Sequence, residues 1–259
     1  MSVVEIKKHL PSGTIIINRP DRRNALTRET IRQLRQAFSD FHGERSVRAV
    51  ILTGTGLAFC AGMDLAEMKE NAAQPNALAL WQEDAMLYLE LIETMLRFPK
   101  PIIAALNGPA MAGGAGLLLA SDVVIGTPEA KFGLPEPRRG LVAGMVSPLL
   151  AFRIGGGYAA NLLLTARIIE ADEALRIGLY HEIVKNDLVW VRAHEIAQEC
   201  AQSAAEALQL TKRMINETVG EQLMTLLSAG AAVSATARTT EAAAEGLAAF
   251  LEKREPRWP

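Results

Sequence analysis

The stretch KPIIAALNGPAMAGGAGL, residues 100–117, decides the architecture. Its first half, Ile102 to Leu106, is an unbroken apolar run of strand length, as expected for a strand covered on both faces of a parallel sheet. Asn107 to Gly116 is rich in glycine and leads into the short apolar run Leu117 to Ala120. A strand, a glycine turn and a helix start leave backbone N–H groups without partners inside the helix. The spacing is neither G-x-G-x-x-G nor Gly-Lys-Ser/Thr, so a dinucleotide or P-loop site is excluded. Taken alone, the cluster serves either close helix–strand packing or the approach of a ligand to bare backbone.

The same pattern occurs upstream. Ala49 to Thr53 (AVILT) reads as a second buried strand, followed by a turn at Gly54 to Gly56 and by AFCAGMD at 58–64. Two such turns offer two backbone donors, and two donors converging on one oxygen form an oxyanion hole. Thr14 to Asn18 and Asp122 to Ile125 read as further strands. Thr27 caps a helix whose apolar positions Ile31, Leu34, Phe38 and Phe41 follow helical spacing, and Gly43 ends it. Residues 77–97 read as a long amphipathic helix closed by Pro99. Alternating strands and helices imply an α/β architecture. From Asn186 onward the strand pattern stops, and helix formers fill 187–202, 203–217, 220–238 and 240–253. The change of character is placed at residue 195.

Composition narrows the function. The chain has 259 residues, 49% of them hydrophobic and 22% charged, which is globular rather than disordered. A net charge of -2 and 5% aromatic residues argue against nucleic acid and anionic membrane as partners. No run of 18 apolar residues and no leader-like N-terminus is seen, and two distant cysteines, Cys60 and Cys200, make no disulfide framework. A cytoplasmic protein is the expectation.

Glu136 lies between Pro135 and Pro137, which hold it on a stiff, non-helical segment. Phe132, Leu134 and Leu141 surround it in sequence. Partial desolvation raises a carboxyl pKa and makes a proton carrier near neutral pH; the alternative is a surface glutamate paired with Arg138 or Arg139. His9, His42, His181 and His194 lack metal-ligand spacing, so no metal is expected. Ser147 sits in no nucleophile elbow. Cys60 is either a packed thiol or a nucleophile, the former being the commoner case. Arg19, Arg22 and Arg23 form either a solvated face or a phosphate contact.

Together these stretches resemble the crotonase superfamily, the enoyl-CoA hydratase/isomerase family. The resemblance runs through RPDRRNAL (19–26), AFCAGMDL (58–65), residues 100–117, FGLPEPRRGLVAG (132–144) and EGLAAFLEKREP (245–256). It implies a spiral of repeated ββα units over 1–195 that binds a CoA thioester, and a helical region over 196–259 that builds homotrimers or dimers of trimers. It implies no cofactor beyond the substrate's own coenzyme A. By position, the oxyanion donors are the N–H groups of Met63 and Gly113. The CoA contacts fall to Arg22, Ala25, Ala61, Asp64 and Leu65, with Phe250 and Lys253 reaching the CoA of a neighbouring subunit. Trp81, Met86 and Tyr88 either line an acyl tunnel or belong to the core.

The sequence departs from the family pattern at one position. Hydratases of this family hold water between two glutamates. Glu136 matches the second, but the first falls on Gly116, which has neither a proton to give nor an oxygen to hold water. A single glutamate is the arrangement of enoyl-CoA isomerases, so isomerisation is narrowly expected over hydration, with a weakly active acyl-CoA binder as a further alternative. Gly116 and Ala112 imply room near the reacting carbons, and Gly116→Glu is expected to raise hydration.

Overall fold

The apolar runs and glycine turns build two sheets in a computed structural model that describes residues 2–258. In chain order the strands are β1 (Val4–His9), β2 (Ser12–Ile17), β3 (Ala49–Gly54), β4 (Ile102–Leu106), β5 (Ala110–Met111), β6 (Val123–Gly126), β7 (Phe132–Gly133), β8 (Ile168–Ile169) and β9 (Glu182–Ile183). The helices are α1 (Arg28–His42), α2 (Leu65–Ala72), α3 (Ala77–Arg97), α4 (Gly113–Leu119), α5 (Val146–Thr165), α6 (Ala171–Arg176), α7 (Val189–Ala201), α8 (Ala205–Arg213), α9 (Leu223–Ala237) and α10 (Glu241–Glu252).

The large sheet has the order β1-β2-β3-β4-β6-β9, antiparallel at β1–β2 and parallel thereafter. The small sheet has the order β5-β7-β8, and Cys60 pairs with Ala110 to extend it by one bridge. The chain therefore repeats one unit: a strand in the large sheet, a short strand or bridge in the small one, then a helix. β3, Cys60 and α2 form one such turn; β4, β5 and α4 the next; β6, β7 and α5 the third. This is the ββα spiral expected from the resemblance.

Local rules explain most boundaries. The Thr27 hydroxyl accepts from the Thr30 N–H at 3.2 Å, and Ile31, Leu34, Phe38 and Phe41 of α1 are fully buried. β4 is buried along its whole length, as its unbroken apolar run requires. The first strand pair differs from expectation. β2 begins at Ser12 rather than Thr14, and β1 was not anticipated, because its largely exposed edge positions carry no alternating pattern.

The helical tail belongs to the same packing. Residue 195 lies inside α7, whose Val189, Ala193 and Ala197 cover Ile51, Ile103 and Ile125 of the large sheet. Buried Lys212 of α8 donates to Asp122 at 2.7 Å and to the Lys100 carbonyl at 3.2 Å, beside the start of β4. α9 packs on α3 and α5, and α10 on the Glu136 turn. These last contacts are backbone-close: a Cβ on Gly230 would overlap Gly144, and one on Gly246 would overlap the Arg139 backbone. The tail thus closes over the chain's own glycine turns.

Candidate active site

The two glycine turns meet. Met111 N–H donates to the Cys60 carbonyl at 2.9 Å, and Leu26 bridges Met63. A Cβ on Gly62, whose φ is +91°, would reach Ala112 Cβ at 2.7 Å and the Gly113 nitrogen at 3.1 Å. Only glycine fits that close approach. Leu26 N–H donates to Gly62, and Asp64 N–H donates to Leu26, so the Met63 amide between them is passed over by the bridge. Among the described residues, neither the Met63 nor the Gly113 N–H has a protein acceptor. Ala112 holds φ 51° and ψ −122° immediately before Gly113, a conformation an L side chain rarely adopts.

Both amides belong to residues lining one cavity of about 670 Å³, open mouth included, together with Ala61, Leu65, Ala112 and Glu136. Glu136 heads a short 3-10 turn, Glu136–Arg139, and is buried. Its Oε2 has no hydrogen-bond partner. Burial pushes the carboxyl up to about 7, against the opposing pull of its own backbone N–H and of the Arg139 guanidinium. The surface ion-pair alternative fails: the Arg139 guanidinium lies over the Phe250 ring, 4.2 Å from its centroid.

Gly116 is not in the cavity. A Cβ there would overlap the Tyr88 hydroxyl and come within 3.2 Å of Tyr88 Cζ and Val146 Cγ2. The expected room at this position is therefore filled. The Tyr88 hydroxyl donates to the Gly113 carbonyl at 2.6 Å, and the ring lines the cavity. Burial, then the electrostatic effect of Cys60 and Glu136, pushes this phenol well above its ordinary value, so it stays neutral. The tunnel alternative splits: Tyr88 lines the cavity, Trp81 packs on the core, and Met86 is exposed.

Of the expected CoA contacts, Ala61 and Leu65 line the cavity, and the others differ in freedom. Arg22 is exposed in the 3-10 turn Pro20–Arg22. Asn24, fully buried, donates to Thr55 and Ala58 and locks this turn to the first glycine turn, while the Ala61 N–H donates to the Arg23 carbonyl. Arg19 is not a free cation: it donates to the Ala25 carbonyl and pairs with Asp64 at 3.0 Å. Asp64 also caps α2 by accepting from Ala66 and Glu67, so its oxygens serve the fold. Phe250 is half-exposed on α10 and Lys253 caps that helix in the left-handed region; neither lines the cavity. Cys60 is buried and its thiol is pushed up to about 12, the packed alternative. The far wall, Asp84 of α3 with Ser234 of α9 and Arg238 at its C-cap, carries no motif and was not anticipated.

Residues 13–259 match the family model described as enoyl-CoA hydratase/isomerase. The chain belongs to this family. A Thermus thermophilus protein with an enoyl-CoA hydratase designation is 40% identical over 246 residues, covering 95% of this chain and 96% of its own. The 1,2-epoxyphenylacetyl-CoA isomerase of Escherichia coli K12 is 30% identical over 256 residues, covering 98% and 97%. The crystal structure of an enoyl-CoA hydratase/isomerase from Xanthobacter autotrophicus Py2 superposes with a TM-score of 0.89 at 28% identity, covering 100% of this chain and 99% of that one. The enoyl-CoA hydratase/isomerase family acts on CoA thioesters, and no helix among the described residues is long and apolar enough to cross a membrane.

Proposed function

We propose that the chain isomerises the double bond of a 3-enoyl-CoA to the 2-enoyl position. The observation that carries this reading is a buried carboxyl oxygen without a partner, beside two backbone amides without acceptors, in one cavity. The thioester oxygen lies between the Met63 and Gly113 N–H groups. Ionised Glu136 takes a proton from C2. The electron pair moves onto the thioester oxygen, where each preorganised donor contributes about 3–4 kcal/mol to the transition state. The protonated Glu136 then returns its proton at C4, and the double bond is left between C2 and C3. One carboxyl group suffices because the same proton leaves and returns. No cofactor enters this reading, and the exposed Arg22 side chain and the Phe250 and Lys253 end of α10 serve the CoA.

Side-by-side assays of 3-enoyl-CoA and 2-enoyl-CoA test it. Isomerisation is expected to dominate; efficient hydration of crotonyl-CoA by the unaltered chain overturns it. A second reading, hydration, is favoured by the Tyr88 hydroxyl, a polar group that fills the space beside Gly116, the position of the first glutamate. In that case Tyr88→Phe removes the hydration of crotonyl-CoA. Binding of acyl-CoA without proton exchange at C2 in heavy water instead identifies a non-catalytic binder.

Assembly into trimers is part of the proposal. Leu210, Met214, Leu226 and Val233 expose large apolar side chains on the 196–259 region. Light scattering of the purified chain is expected to give three or six copies.

A further inference from the structure

The far wall of the cavity holds a guanidinium group with unused donors. α3 places Tyr88 and Asp84 one helical turn apart on one face. Tyr88 reaches Gly113 at the oxyanion end, so Asp84 stands about 6 Å further along the helix. Arg238, at the C-cap of α9, lies against Asp84 on this wall. Both Asp84 oxygens are already engaged: Oδ1 accepts from Arg28 Nε and Oδ2 from Asn71 at 3.2 Å. Arg238 has only a 3.5 Å contact with that second oxygen and no other acceptor among the described residues. Its side chain is 10% exposed. A guanidinium so shielded from water is under-paired, and its planar fork matches the two oxygens of a carboxylate. The remainder of this wall, Met68, Ala85 and Leu141, is apolar and offers a chain of methylenes a path to it.

We infer that the acyl group is short and ends in a carboxylate, which Arg238 reads at the end of the cavity opposite the oxyanion amides. This rests on the reading of the cavity as an acyl-CoA site. Arg238 is then a specificity residue: it acts on the distal end of the substrate and takes no part in proton transfer.

The test compares hex-3-enoyl-CoA, the mono-CoA thioester of hex-3-enedioic acid, and the methyl ester of the latter. A charged hydrogen-bonded pair formed out of water predicts kcat/KM for the acid about tenfold to a hundredfold above that for the other two. In Arg238→Met the ratio of acid to methyl ester falls to about one; in Arg238→Lys, which keeps the charge, part of it returns. Thermal melts confirm that each variant is folded. Calorimetry with hexanoyl-CoA and adipoyl-CoA reads the same ratio without turnover. Equal rates for acid and ester in the unaltered chain overturn the inference, as does an Arg238→Met variant that weakens all three substrates alike, which assigns Arg238 to the CoA or to the fold. If the calorimetry detects neither CoA ester, the acyl-CoA reading itself falls, and this inference with it.

Discussion

The Tyr88 hydroxyl occupies the space that a side chain on Gly116 would need. The glycine is therefore not a gap in the active site but the condition for a phenol to reach the Gly113 carbonyl. This revises the simplest expectation from the sequence. Gly116→Glu alone forces a long side chain into the Tyr88 ring and Val146, and overpacking of this kind costs about 1–3 kcal/mol. The variant is expected to unfold at lower urea and to gain no hydration of crotonyl-CoA. Paired with Tyr88→Ala, the same substitution has room, and hydration rises above that of either single variant. A Gly116→Glu chain that hydrates well on its own shows that the ring moves aside freely.

Glu136 links activity and stability through one titration. In the unfolded chain the carboxyl ionises near its ordinary 4.5; in the fold it holds its proton to about 7. Between these values the folded state binds more protons than the unfolded one, so stability falls as pH rises, by about 3 kcal/mol in all. Glu136→Gln removes the ionisation, so its melting temperature exceeds the parent's above pH 7 and converges with it near pH 4. Activity has the opposite sign: kcat/KM of the parent rises through pH 7 as the base ionises, and Glu136→Gln lowers it about 10²–10⁴-fold. Parallel pH profiles of melting and turnover check both.

What the sequence displayed and what it hid follow from the range of the contacts. β3, β4 and α1 were legible because each is a local pattern, an unbroken apolar run or a capped helical stripe. The burial of Glu136 was legible because its apolar neighbours lie within a few residues. β1 lies at a sheet edge with most side chains in solvent, so burial left no alternation in it. α5 is interrupted at Gly155, with φ +77°, and has no single apolar face to read. The Tyr88–Gly113 bond joins residues 25 apart, and the Arg238–Asp84 contact joins residues 154 apart. No local spacing encodes pairs at that range; they arise only when α3 meets the start of α4 and the end of α9.

Lys212 tests whether the tail is integral to the core. Its ammonium is buried, pairs with Asp122 at 2.7 Å, and shares that carboxyl oxygen with the Ile102 N–H at the start of β4. Burial lowers the Lys212 pKa while Asp122 opposes it, so the ion pair holds the charge in place. Lys212→Met leaves Asp122 without its cation, and breaking a buried pair from one side costs about 3–5 kcal/mol. Asp122 is partly exposed, which places the expected loss at the lower end of that range. One cooperative urea transition, shifted to lower midpoint, is expected. A separate early transition of the tail would show instead that residues 196–259 unfold independently.

Ala112 separates stability from function most sharply. Its φ of 51° and ψ of −122° carry strain of about 1–3 kcal/mol for a residue with a Cβ, and glycine adopts them freely. The strain is held by three features. The Ala112 N–H donates to the Gly133 carbonyl at 3.0 Å, its own carbonyl accepts from Gly116 at 3.2 Å, and its methyl group packs where Gly62 leaves space. The same peptide unit carries the Gly113 N–H. Ala112→Gly relieves the strain but gives back backbone entropy to the unfolded chain, about 0.4–1 kcal/mol, so stability is expected to hold or rise slightly. The Gly113 amide, no longer fixed by the methyl group, samples orientations that point away from the thioester oxygen. Turnover is therefore expected to fall severalfold while the melting temperature does not. If kcat/KM and melting temperature drop together, Ala112 serves packing alone; if turnover is unchanged, the Gly113 amide is held by its hydrogen bonds and needs no strained residue before it.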